Sequence, residues 1–198
     1  MPVVAVCTFP PVAALLGPAE PLLIDALTYH RTYHHSRALH YNHLLFLHTY
    51  LFGTFLLLAA AGQLVVAAGS LVYASYTLLL TRAALPSMLT YCAFLLALAG
   101  IAWHVSLRCG GPASTVAWTA TGIIIGSFAC QLVGHAWHEA FVAPPALAHG
   151  FLAAPPLEVL VLMERLGVQP TLHGAVLRRV RELRTEAFRQ LERVKECQ

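Results

Sequence analysis

Apolar residues run through the middle of this chain in blocks too long for a water-soluble fold. Residues 87–107 (SMLTYCAFLLALAGIAWHVSL) and 115–135 (TVAWTATGIIIGSFACQLVGH) each match one bilayer crossing, which takes about 20 such residues. Pro86 suits a helix start, and Cys109-Gly110-Gly111-Pro112 a turn between the two blocks. The run from Leu44 to Leu80 would be roughly 55 Å long as a single helix, whereas a crossing takes about 30 Å. Two helices turning near Gly62-Gln63 or near Gly69-Ser70 fit that run better, so the pattern predicts four spans.

The pattern changes after the fourth block. Residues 144–156 (PPALAHGFLAAPP) lie between two proline pairs and are too short to cross; they read as a re-entrant or interfacial segment, with a continuation through Leu157–Leu166. From Leu172 the apolar positions Val176, Val180, Leu183, Ala187, Leu191 and Val194 recur at three- and four-residue spacing, the mark of an amphipathic helix with a basic polar face. Such a helix can pack on its own protein, pair with a second copy as a homo-oligomer contact, or lie on anionic headgroups. The expected architecture is an all-α polytopic membrane protein with about four transmembrane helices, the re-entrant or interfacial segment and this C-terminal helix. Residues 1–168 form the membrane-embedded part and 169–198 the charged amphipathic helix.

Charge sets the orientation. Between Ala38 and His138 the only charged residues are Arg82 and Arg108, whereas seven Arg or Lys and four Glu follow from Arg178 onward. With four spans, Arg31, Arg37, Arg82 and the basic tail share one side and Arg108 alone lies opposite. The positive-inside rule then places both termini in the cytosol. A three-span chain would break this pattern.

Composition agrees with the bilayer reading. The chain is 58% hydrophobic and 11% charged, against about 25% charged in soluble domains. That excludes a disordered or ordinary cytosolic protein, and a net charge of +3 gives no reason to expect nucleic acid as a partner. Five cysteines without a Cys-x-x-Cys pair indicate neither a disulfide framework nor a zinc finger. The N-terminal stretch has no basic n-region, and Pro2, Pro10 and Pro11 interrupt it, so it reads as retained rather than as a cleaved signal.

Candidate chemistry lies in the histidines. There are eleven, many for a chain so poor in other polar residues. His30, His34, His35, His40, His43 and His48 fall within one short stretch, and His135 and His138 follow the fourth span with Glu139 beside them. Imidazole is the commonest metal ligand, and polar groups at membrane depth are costly and usually functional. His30 and His34 share a helix face, as do His135 and Glu139. His34 and His43, nine residues apart, are about half a turn out of phase on a straight helix, so they face one centre only if the chain bends near Ser36-Arg37. With four spans these groups gather at one membrane face and His104 lies at the other. From the residues alone, a metal site and a set of incidental interfacial histidines both stay open.

Two motifs bear a further reading. The first is YHHSRALHYNH, with Tyr33, His34 and His43, immediately before a span. The second is QLVGHAWHE at 131–139, followed by PAL at 145–147, AAPP at 153–156 and ERLG at 164–167. In order and spacing, over about residues 29–168, they resemble the small endoplasmic-reticulum membrane proteins that act as 2-hydroxy fatty acid dioxygenases in phytosphingosine breakdown and fatty acid alpha-oxidation. This chain departs from that family's pattern in several places. Ser36, Arg37 and Leu39 stand where Asn-Pro and a further Asn are usual, and Leu47-His48 replaces a Gly-x-Pro. AFVA replaces an Arg-rich stretch, the PAL spacing is shifted, and His138 replaces an aromatic residue. Tyr29-His30 is an alternative register for the Tyr-His pair.

The resemblance implies an iron(II) enzyme of lipid metabolism at the endoplasmic reticulum. It would convert a long-chain 2-hydroxy fatty acid and O2 to CO2 and the acid one carbon shorter. It implies His34, His43 and His135 as iron ligands, with His138 a further candidate. Glu139 would complete the shell or orient a histidine, and Tyr33 would be a catalytic side chain beside them. Three competing readings remain: a di-iron hydroxylase or desaturase, from His30-x-x-x-His34-His35; a b-type haem protein, with His48 and His135 as the best pair; and a non-catalytic membrane scaffold.

Overall fold

The computed structural model describes residues 18–34, 36–109, 112–138, 149–168, 171–182 and 185. Among these the structure is helical and contains no strand. Its helices are α1 (Ala19–Tyr33), α2 (Arg37–Ala61), α3 (Gln63–Leu80), α4 (Leu85–Arg108), α5 (Ala113–His138) and α6 (Ala154–Arg165), followed by a helix over residues 171–182, α7. A 3₁₀ turn (Arg82–Ala84) joins α3 to α4, and a π-helical turn (His149–Ala153) leads into α6.

Four of these helices, α2 to α5, are long and apolar enough to cross a membrane, the third span taking in the 3₁₀ turn before α4. Even α3, the shortest at 18 residues, is roughly 27 Å long, close to the hydrocarbon thickness. The spans bury only a minority of their residues against one another. Large apolar side chains such as Leu64, Val72, Ile101, Trp118, Ile125 and Val133 stay exposed. In water such a surface would aggregate; in hydrocarbon it is the expected outer face. The protein is therefore a multi-pass membrane protein.

The long run 44–80 divides at Gly62, one of the two turn sites the sequence offers. Gly62 adopts φ +130° and caps α2 through its N–H to the Ala59 carbonyl. That backbone is open to glycine and strained for any L side chain, which makes Gly62 the hairpin between the first two spans. Pro86 stands at the start of α4, where the missing N–H removes no helical bond. The second proline pair acts in the same way. Pro155 and Pro156 open α6, and the expected continuation through Leu157–Leu166 is this helix, which reaches Arg165 with Leu166 as its cap.

The chain turns place one end of the bundle apart from the other. α2 starts and α5 finishes at the same end as the α3–α4 turn. At that end α1 packs against α6, α3 and the 3₁₀ turn, while α2 packs chiefly against α5 and also against α3, α4 and α6. α6 is largely buried, both its glutamates included. α7 contributes Leu172, Val176 and Val180 to the same core as Leu23, Leu27, Leu157 and Leu160. The apolar stripe of its described part thus packs on its own protein. The remainder of the amphipathic segment, Leu183 among it, lies outside the described residues.

Candidate metal centre

Three imidazoles meet at this end of the bundle. His34 caps α1, His43 sits in the second turn of α2, and His135 in the last turn of α5. Their ring centroids form a near-equilateral triangle: 4.8 Å between His34 and His43, 4.9 Å between His34 and His135, and 4.9 Å between His43 and His135. One nitrogen from each lies within 4.8 Å of the others. His34 and His43 are buried and His135 partly so.

The phase problem between His34 and His43 is solved by a break in the helix. α1 ends at Tyr33, His34 takes an extended conformation (φ −126°, ψ 99°), and α2 begins at Arg37. The change of direction lets two residues that would point apart on one helix face each other. α5 is brought to them by a close approach at Gly134. A Cβ on Gly134 would lie 2.7 Å from the Asn42 side chain, well inside van der Waals contact. Asn42 fills this space and donates from Nδ2 to the Cys130 carbonyl at 3.2 Å. That bond leaves Oδ1 to accept the Nδ1–H of His43 at 3.4 Å, so Nε2 of His43 keeps its lone pair. This is the usual way an outer partner fixes the tautomer of a ligating histidine.

A second polar group adjoins the first. His30 Nε2–H donates to Glu158 Oε1 at 2.9 Å and His40 Nδ1–H to Glu158 Oε2 at 2.7 Å, all three side chains being buried. The His30 and His34 rings touch edge to face at 4.6 Å. Burial pushes the His30 imidazole down to about 4 against the opposing pull of Glu158. Burial alone would raise the Glu158 carboxyl. The charge of His30 and the hydrogen bonds from His30 and His40 outweigh it and hold the carboxyl below the ordinary range. One and a half turns further along α6, Glu164 pairs with Arg31 and lies 3.4 Å from His173 Nδ1. This ties α1, α6 and α7 together and holds the His30 face of α1 against Glu158.

The other candidates are placed as follows. His138 ends α5, exposed and outside both groups. Tyr33 is the last residue of α1, and its side chain lies outside the described parts, as do Glu139 and His35 entirely. His104 sits four residues before the end of α4, at the opposite end of the bundle. Both nitrogens of His48 are engaged, Nδ1 with the Leu44 carbonyl at 2.6 Å and Nε2 with the Tyr91 hydroxyl at 3.0 Å. The His48–His135 pair of the haem reading is therefore not what the structure presents.

One residue of the second group, Glu158, escaped notice in the sequence. Glu158 carries no local signal, being one acidic residue in a segment read for its prolines. Gln131 and Ser127 lie one and two turns before His135 on α5. Both are buried, and Gln131 Nε2 and Ser127 Oγ make no hydrogen bond among the described residues. Gln131 opens the QLVGHAWHE motif, and Ser127 stands four residues before it on the same helix.

The donor set suits a divalent metal. Three imidazoles gathered from separate chain segments are a donor set that first-row metals take, and three protein ligands leave further coordination positions for exchangeable groups. No family model, no curated protein and no solved structure matches this chain.

Proposed function

We propose that this protein is an iron(II)-dependent dioxygenase of the membrane, which converts long-chain 2-hydroxy fatty acids to acids one carbon shorter. The observation that carries the reading is the convergence of His34, His43 and His135 at one end of a four-span bundle. The motif resemblance over residues 29–168 supplies the substrate class. His34, His43 and His135 would hold the iron, which supplies O2 activation when bound. Asn42 keeps His43 in the ligating tautomer. Gln131 and Ser127 offer buried polar hydrogens that can receive a carboxylate or hydroxyl oxygen from the substrate. The acyl chain remains among the spans, where a lipid already resides.

Atoms balance without an external reductant. A 2-hydroxy acid and one O2 give the shortened acid, CO2 and water, and the substrate provides every electron. The 2-hydroxyl and carboxylate together close a five-membered chelate that a plain acid cannot form. Detergent-solubilised protein with iron(II) restored is expected to consume O2 mole for mole with a long-chain 2-hydroxy acid. It should need no 2-oxoglutarate, NADPH or reductase, chelation should stop it, and iron(II) but not zinc should return it. A requirement for external electrons, or hydroxylation of plain fatty acids, would move the reading to a di-iron hydroxylase.

In this reading both termini are cytosolic, the membrane is that of the endoplasmic reticulum, and the three-imidazole group lies at the cytosolic face. Reporter fusions after residues 35, 83, 110 and 170 are expected to read inside, inside, outside and inside. The reverse pattern at 35 and 170 would place the site on the lumenal face.

A further inference from the structure

His30, His40 and Glu158 are not required by the three-imidazole group, yet they are among the most deeply buried polar side chains described, at 0%, 3% and 0% exposure. They come from α1, α2 and α6, and Glu158 is 128 positions from His30 and 118 from His40. A carboxylate removed from water is costly unless a positive charge stands against it. Arg31, the nearest residue with a fixed positive charge on α1, is engaged with Glu164 instead. What faces Glu158 is two imidazoles, with one ligand atom from each of the three residues lying within 4.8 Å of the others. Two imidazoles and one carboxylate form the donor set that non-haem iron(II) and neighbouring first-row ions take with positions to spare.

We propose that His30, His40 and Glu158 form a second divalent-metal site, adjoining the one at His34, His43 and His135, so that the chain holds two metal ions side by side. The edge contact of the His30 and His34 rings at 4.6 Å makes the two sites neighbours. Each group supplies three protein ligands, one set all imidazole and the other carrying the carboxylate. The second ion would stand as a positive charge against buried Glu158, whose two oxygens otherwise meet only the His30 and His40 rings among the contacts described. The proposal concerns metal occupancy and stands or falls apart from the substrate.

Metal counting on the full chain tests it. The protein in detergent, saturated anaerobically with manganese(II) and freed of excess, is expected to hold two ions per chain and to show the EPR spectrum of a spin-coupled pair. Glu158→Gln keeps the size and one acceptor while removing the charge, and should hold one ion with an uncoupled manganese(II) signal. His43→Ala should also hold one. A wild-type chain with one ion overturns the proposal and leaves the three-imidazole reading standing, and so does a Glu158→Gln chain that still holds two. Should either variant fail to fold, the wild-type count and its coupled or uncoupled spectrum decide the matter. Two ions without 2-hydroxy acid turnover would overturn the proposed reaction and leave the second site in place.

Discussion

Replacing His43 with alanine is expected to remove the metal held by the three-imidazole group and to abolish turnover, while His104→Ala leaves both near wild type. Loss of an outer partner of a metal site typically costs about 10–100-fold in affinity or activity, and loss of a ligand itself should exceed that. His43 is buried between His34 and His135, with ring centroids 4.8 and 4.9 Å away, so no other side chain of α2 takes its place. His34→Ala and His135→Ala should behave alike, because each removes one corner of the same triangle. His138→Ala is expected to have little effect, since that residue is exposed at the end of α5. Metal content and O2 uptake of the purified variants check the set. A His104→Ala protein that folds without metal would refute the assignment, as would a His43→Ala protein with full activity.

The four spans were legible because bilayer physics acts on short stretches of chain. Length and hydropathy identify a crossing, and Gly62 and Pro86 mark ends through their own backbone limits. Topology made legible that the two histidine clusters share a face: given an even number of spans, residues before the first and after the last must lie at one end, while the choice of His34, His43 and His135 among them came from the motif resemblance. The break between α1 and α2 was legible as well: half a turn of phase requires a bend between His34 and His43, the sequence places it near Ser36-Arg37, and α2 begins there with Ser36 as its cap. Glu158 was hidden. Its partners stand more than a hundred positions away, and periodicity reports which face of a helix is apolar, not which other face it meets. The continuation past the proline pair at 155–156 was expected; that the pair forms the first turn of a helix, α6, is what the structure adds. The tail showed its stripe plainly, but only the fold shows Leu172, Val176 and Val180 joining the core of their own chain.

Gly134→Ala, a change of one methyl group outside both ligand sets, is expected to impair the site while leaving the four-span fold intact. The added Cβ would lie 2.7 Å from Cγ and Oδ1 of Asn42 and 2.9 Å from Nδ2, so either the amide or the end of α5 must move. The Asn42 amide is not a loose side-chain tip. Its nitrogen is held by the Cys130 carbonyl at 3.2 Å, and its oxygen receives His43 Nδ1–H at 3.4 Å. If the amide moves, His43 loses the partner that fixes its tautomer; if α5 moves, His135 leaves the triangle. Either route should weaken metal binding by about 10–100-fold, read as a raised metal dissociation constant at unchanged helical content. The double variant distinguishes this steric account from general damage. Removing the Asn42 side chain removes what the new methyl group strikes, so Asn42→Ala with Gly134→Ala should bind metal no worse than Asn42→Ala alone. Two residues acting through one contact are expected to be far from additive. Fully additive losses would mean that Gly134 acts elsewhere, and a Gly134→Ala protein with wild-type affinity would mean that the approach of α5 to α2 does not position His135.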